Sequence, residues 1–248
     1  MIFCLPLIAV VLGELTVLLS VDTSRGPHDG RHSYDVQLVS KAFLDAGLVD
    51  RIVVLSAAET RRAGRNLLER DPGWIPSAAP AHSVSPSLLL RYIRDHLWRE
   101  GCADTLMIFI AGHGSPGFIR FQDTQLLYKK DLERALLDAH GRDLFRRVIL
   151  LVDSCHAEAF VSILPGKLWY TGVGSSLTGE ASLSIQHEPL TGIPLVDRFS
   201  LALAEALQKG YNGEALNVFL TTDTFSQQRL RSTIFLTGAE EAWFRGLV

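Results

Sequence analysis

Short apolar runs alternate with amphipathic stretches along the first four-fifths of this chain. Leu15–Val21 (LTVLLSV), Arg51–Leu55 (RIVVL), Thr105–Ala111 (TLMIFIA), Val148–Val152 (VILLV) and Lys167–Gly174 (KLWYTGVG) are nearly continuous apolar segments. That pattern predicts strands buried on both faces of a parallel sheet. Between them, Val36, Val39, Ala42, Phe43 and Ala46 recur at helical spacing over His32–Ala46, and Gly47 supplies a stop. Pro86 suits the first turn of a helix reaching about Arg99. Further helices are expected over Lys130–His140 and Leu195–Lys209, the latter closed by Gly210. Alternating strands and helices imply an α/β fold with a mostly parallel central sheet and helices on both faces. Ser56–Ser85 and Ser175–Pro194 show no clear period. Phe118–Gln122 alternates as a hairpin would, and Ala215–Thr222 and Ser232–Thr237 read as weaker edge structure.

Two of the apolar runs stop on chemically able side chains. One continues into Gly112-His113-Gly114 and the other into Asp153-Ser154-Cys155. The helix between them makes a strand–helix–strand unit, so both strand ends reach the same sheet edge, where open α/β sheets bind ligands. A thiolate is a nucleophile, and an imidazole can take the thiol proton. His113 is therefore the candidate base and Cys155 the candidate nucleophile. The glycines beside His113 allow a sharp turn, and the Gly114 and Cys155 N–H groups could form an oxyanion hole. His156, next to the nucleophile, should point away. His28, His82, His96, His140 and His187 read most simply as surface residues.

The chain has 248 residues, 47% hydrophobic and 21% charged, which suits one domain with a sizeable core. A formal charge of −3 gives no basic footprint, so nucleic-acid binding is not expected. Three cysteines make no disulfide framework. The spacings CxxC, HExxH and GxxxxGK[ST] are absent, so no metal or cofactor is expected. Met1–Gly13 is apolar but below the roughly 18 residues of a membrane span. With small residues before Glu14 it reads as a signal peptide, although it lacks a basic start; the other reading extends the first strand. This divides the chain into residues 1–13 and a single domain over 14–248, with no transmembrane span of its own.

Ala111-Gly-His113-Gly114 with Gly117-Phe-Ile-Arg-Phe-Gln-Asp123, and Leu151-Val-Asp153-Ser-Cys155, resemble the histidine and nucleophile segments of the catalytic subunits of GPI-anchor transamidases. These are legumain-like cysteine peptidases with a caspase-like fold. Gly174–Pro189 and Gly192–Phe199, notably Ser182-Leu-Ser-Ile-Gln and Asp197-Arg-Phe, resemble the transamidase subunits more closely than legumain or caspases. Thr23-Ser-Arg25 and Arg31-His32 match near the N-terminus. The resemblance implies a His113–Cys155 dyad, with Arg31, Asp153, Ser182 and Asp197 lining the pocket for the residue before the scissile bond. The plainer readings are a solvated loop charge for Arg31 and helix caps or structural ion pairs for Asp153 and Asp197.

The chain departs from that family at three places. Asp29-Gly30 stands where Asn-Tyr is usual, Ser77–Ser85 lacks the carboxylates linked to calcium, and Glu59–Asn66 lacks the cysteine that ties the subunit to a partner. The resemblance implies an endoplasmic-reticulum lumenal enzyme, held to the membrane by other transamidase subunits. It would cleave a C-terminal GPI signal from a proprotein and pass the acyl group from Cys155 to the GPI lipid's ethanolamine amine. Two other readings remain at this point: a legumain-type asparaginyl hydrolase, and a catalytically silent subunit of the complex.

Overall fold

The computed structural model describes residues 16–24, 29–55, 84–98, 101–122, 124–187, 189, 192–210 and 230–238. Met1–Gly13, Glu59–Asn66, Ser77 to His82 and Ala215–Thr222 lie outside them. Strand β1 (Thr16–Asp22) leads through a short loop to helix α1 (Gly30–Asp45) and strand β2 (Arg51–Leu55). Helix α2 (Pro86–Arg94) precedes β3 (Ala103–Ala111). Three short strands follow, β4 (His113–Ser115), β5 (Phe118–Phe121) and β6 (Gln125–Tyr128), then helix α3 (Lys129–Gly141). Next come β7 (Phe145–Asp153), the short helix α4 (Ala157–Val161) and β8 (Tyr170–Gly174). The hairpin β9 (Ser184–His187) and β10 (Pro194–Asp197), helix α5 (Arg198–Gln208) and strand β11 (Phe235–Gly238) complete the order.

Six strands form the main sheet in the order β11-β8-β7-β3-β1-β2, all parallel except β11. Alternation along the central strands divides their side chains between two cores. Leu106, Ile108 and Ile110 of β3 and Val148, Leu150 and Val152 of β7 join the core that holds Leu89, Ile93, Leu132 and Leu136 of α2 and α3. Met107, Phe109, Ile149 and Leu151 join Val36, Val39 and Phe43 of α1 and Phe199 and Leu203 of α5 on the other face. The expected two-faced α/β arrangement is what the chain adopts.

Local boundaries moved for identifiable reasons. The helix opened by Pro86 has Ser85 as N-cap, whose Oγ accepts from the Leu88 N–H at 3.1 Å. It ends at Arg94 rather than Arg99. There the Trp98 indole N–H donates to the Ile93 carbonyl (2.6 Å), and His96–Trp98 tightens into a 3₁₀ turn. The strand expected from Lys167 begins at Tyr170, after two tight turns closed by the Lys167 and Tyr170 N–H groups. Ser175–Pro194, expected to be irregular, contains β9. Leu195–Asp197, expected to open a helix, instead pairs with β9 as β10, and α5 starts at Arg198.

Candidate active site

Register brings the two strand ends together. Ala111 of β3 pairs with Asp153 of β7, and the Gly112 N–H donates to the Asp153 carbonyl at 3.1 Å. His113 and Cys155 each follow two residues beyond that pair, at the same sheet edge. A Cβ on Gly112 would lie 1.7 Å from Thr23 Oγ1, so only glycine passes there. A Cβ on Gly114 would lie 2.3 Å from the Cys155 carbonyl oxygen and 2.6 Å from Ser154 Oγ. The backbone after His113 thus rests directly on the turn that carries Cys155. Gly114→Ala should cost about 1–3 kcal/mol by overpacking. Thermal melting should show that loss, together with slower alkylation of Cys155, because the turn must shift to admit the methyl.

The Cys155 turn is held by serines. Ser175 Oγ accepts from the Ser154 N–H (3.1 Å), and Ser176 Oγ donates to the Ser154 carbonyl (2.9 Å) and accepts from the Ala157 N–H (3.2 Å). His156 has a left-handed backbone (φ 56°), and its Nδ1 accepts from the Gly179 N–H at 2.9 Å. Its ring is engaged by the Gly179 backbone. Cys155 is a partly exposed free thiol.

His113 Nε2 lies 3.1 Å from Asp29 Oδ1. The hydrogen bond to His113 holds the Asp29 carboxyl down at about 2, against the desolvation that would raise it. An ionised carboxylate can only accept, so Nε2 donates and Nδ1 is the ring atom left facing away from Asp29. Asp29 therefore orients the imidazole. His140, expected at the surface, is half-buried and stacks on Trp169 with ring centroids 4.0 Å apart.

Beside this dyad lies a buried polar cluster. Asp197 Oδ1 receives Arg31 Nε at 3.1 Å and its Oδ2 faces His32 Nδ1 at 3.2 Å. Arg31 also reaches Asp29 at 3.8 Å and is only 16% exposed, so it is no solvated loop charge. Asp153, fully buried, accepts from Ser182 Oγ (2.7 Å) at one oxygen and from the Ser200 N–H and Oγ (3.1 and 2.6 Å) at the other. The four candidate pocket residues thus fall in two groups, Arg31 with Asp197 in one ion pair and Asp153 with Ser182 in a hydrogen-bonded set that Ser175 extends by donating to Ser182 Oγ at 3.1 Å.

Two members escape the sequence reading. His32 is buried, and Asp35 Oδ1 accepts from the Asp197 N–H at 2.9 Å. Their signal was periodic: residues 32, 35, 36, 39 and 43 trace one stripe along α1, so a His and an Asp share the face of Val36 and Val39. Burial alone would discharge His32, but the contacts to Asp197 and Asp35 hold its imidazolium up at about 9. Burial, followed by the Asp197 charge, pushes the Asp35 carboxyl well up, so Asp35 stays neutral. The His32 contact overcomes burial at Asp197 and keeps that carboxyl below its ordinary range.

Burial and the Asp197 charge raise the Asp153 carboxyl to about 6, with the serine hydrogen bonds pulling the other way. Between the unfolded value near 3.8 and the folded value the native chain binds the extra proton. Stability from this group is therefore present below pH 4 and lost as pH rises to about 6. The loss should be about 3 kcal/mol. Urea unfolding from pH 4 to 7 should show a smaller loss in Asp153→Asn than in the parent chain, the remainder coming from the raised Asp35 carboxyl.

The sheet order, with a parallel core and one antiparallel edge strand, is that of the caspase-like α/β fold. The crystal structure of caspase-1 from Spodoptera frugiperda superposes with a TM-score of 0.55, at 12% identity, covering 96% of this chain and 94% of that one. The sequence pattern of the peptidase C13 family matches residues 93–228. The chain belongs to the peptidase C13 family. Among curated relatives, the GPI-anchor transamidase of Schizosaccharomyces pombe is 31% identical over 42% of this chain and 27% of its own length. A Drosophila melanogaster protein to which that name is given provisionally is 32% identical over 76% of this chain and 59% of its own. The human GPI-anchor transamidase is 30% identical over 42% of this chain and 26% of its own. The chain therefore spans between about a quarter and three fifths of the length of these relatives.

Proposed function

We propose that this chain is a thiol-dependent transamidase acting on proproteins with a C-terminal GPI signal. The observation that carries the chemistry is the shared sheet edge: His113, oriented by Asp29, and Cys155 follow paired residues of adjacent parallel strands. The relatives' name supplies the acyl acceptor. His113 takes the thiol proton at Nδ1, and Cys155 Sγ attacks the ω-residue carbonyl. The peptide C–N bond breaks, the signal's new amine takes the proton from His113, and a thioester remains. The ethanolamine amine of the GPI lipid then attacks the thioester, giving its proton to His113, and the C–S bond breaks to restore the thiolate. Gly114 and Cys155 N–H groups stabilise the oxyanion.

The pocket for the ω residue is lined by Arg31, Asp153, Ser182 and Asp197. With two ionised carboxylates balanced by Arg31 and His32, it favours a small or amide-bearing side chain over a charged one. In this reading residues 1–13 are a cleaved signal, 14–248 form one domain, and the chain works in the endoplasmic-reticulum lumen with other transamidase subunits. No helix among the described residues is long and apolar enough to cross a membrane.

The test uses membranes from cells that depend on this chain, a reporter with a GPI signal, and hydrazine as a substitute amine. Formation of the ω-residue hydrazide is expected. Free acid alone, with hydrazine present, would assign a legumain-type hydrolase, and an unprocessed reporter with a Cys155 that no labelled electrophile modifies would assign a silent subunit. In the same membranes, Asp29→Ala should lower turnover about 10- to 100-fold while leaving substrate affinity nearly unchanged, because a misoriented base affects the chemical step.

A further inference from the structure

Asp29, His32 and His113 each place one ligand atom within 4.8 Å of the other two. Asp29 Oδ1 and His113 Nε2 are already 3.1 Å apart, about the span of two ligands on a tetrahedral zinc with bonds near 2.0–2.2 Å. His32 and His113 meet edge to face with ring centroids 5.1 Å apart. Both ring nitrogens of His32 are buried, and neither makes a hydrogen bond of normal geometry. A buried imidazole nitrogen left in this way needs a reason. On one edge of the ring Nδ1 faces two carboxylates at ion-pair distance, 3.2 Å from Asp197 Oδ2 and 3.7 Å from Asp35 Oδ2, and Nε2 on the other edge faces neither. A carboxylate behind the far nitrogen is the arrangement that orients a metal-binding histidine.

We propose that Asp29, His32 and His113 form a zinc site that holds the candidate active site off. Zinc would displace the Nε2 proton of His32 to solvent on binding, and the resulting two imidazoles and one carboxylate suit zinc rather than the all-oxygen preference of calcium or magnesium. They leave a fourth position for water or the Cys155 thiolate. His113 is 42% exposed and Asp29 19%, which gives the ion a way in from solvent. The neighbouring group of His32, Asp35 and Asp197 does not compete, because it is wholly buried and Arg31 already neutralises Asp197. The three ligands are separated by 3 and 81 positions, so no linear motif reveals them. The inhibitory consequence, unlike the site itself, rests on the proposed role of His113. A neutral imidazole bound to zinc through Nε2 carries its remaining proton on Nδ1 and cannot accept another from the thiol. Zinc binding and base catalysis are then mutually exclusive.

The test titrates the purified full chain with zinc against a chromophoric chelator, a readout that needs no activity. Cobalt substitution reports coordination through its visible absorption. One zinc per chain and a four-coordinate cobalt spectrum are expected. Asp29→Asn, His32→Gln and His113→Gln should each weaken binding by more than the 10-fold or greater loss typical of an outer-shell partner. Cys155→Ala should leave zinc bound. If His32→Gln does not fold, as circular dichroism would show, Asp29→Asn at the rim carries the test. No stoichiometric binding, or binding lost in Cys155→Ala but kept in Asp29→Asn, overturns the site. If zinc binds while Cys155 resists a labelled electrophile in metal-free buffer, the catalytic reading fails and the metal site stands. A reactive Cys155 in a chain that binds no zinc overturns the metal site and leaves the catalytic reading in place.

Discussion

Cys155→Ala and His113→Ala should each reduce anchor attachment by about 10,000-fold or more, to background in a cell assay. The expectation follows from the order of the two steps. Without the thiolate no thioester forms, and the GPI amine meets an unactivated peptide bond. Without His113 no base takes the thiol proton, and the departing signal peptide lacks a proton donor. Residues that act as a unit lose nearly everything when either is removed, so the double variant should be no worse than either single one. Folding is not the cause, because the Cys155 and His113 side chains are both partly exposed at the sheet edge. Melting temperatures of both variants should stay close to the parent's. Normal surface display of a GPI-anchored reporter in either variant would end the proposed function.

The second large effect is on stability. Asp197→Ala removes the carboxylate whose two oxygens face Arg31 and His32 at 3.1 and 3.2 Å. Both cations stay behind with little water to solvate them, and stripping one partner from a buried ion pair costs about 3–5 kcal/mol. Denaturant unfolding should report a loss of that size. His32→Gln alone should cost less, since Asp197 keeps Arg31. Adding His32→Gln to Asp197→Ala should restore part of the loss, because one stranded charge disappears. That coupling, read from the four-variant cycle, identifies the pair as the cause. Strict additivity would refute the ion-pair account of the cluster.

The strand ends are readable from sequence because a strand buried on both faces tolerates no charge. The first polar residue after such a run marks the sheet edge. Ala111-Gly112-His113 and Val152-Asp153 are marks of this kind, and the helix between the runs brings them together. The buried side of α1 is harder to read. His32 and Asp35 look like ordinary polar residues near a helix start, and only Asp197, over 160 positions away, makes their burial tolerable. β10 is hidden for a different reason. Pro194-Leu-Val-Asp197 continues the apolar spacing of α5, and nothing local shows that Ser184–His187 lies alongside. Asp29 is legible as a position but not as a contact, since the 84 residues separating it from His113 are closed only by the fold.

The strand order of the main sheet also bears on how the chain assembles. After β1 and β2 have paired, β3, β7, β8 and β11 each join the same growing edge, in the order in which they leave the ribosome. Among the described residues no later strand has to be inserted between two that are already paired. A chain emerging N-terminus first can therefore build its sheet outward during synthesis, which shortens the interval in which an unpaired parallel edge is open to aggregation. The nucleophile arrives late in this sequence. Until β7 docks on β3 there is no thiol beside His113, and a nascent chain carries no working dyad while its earlier strands are still settling.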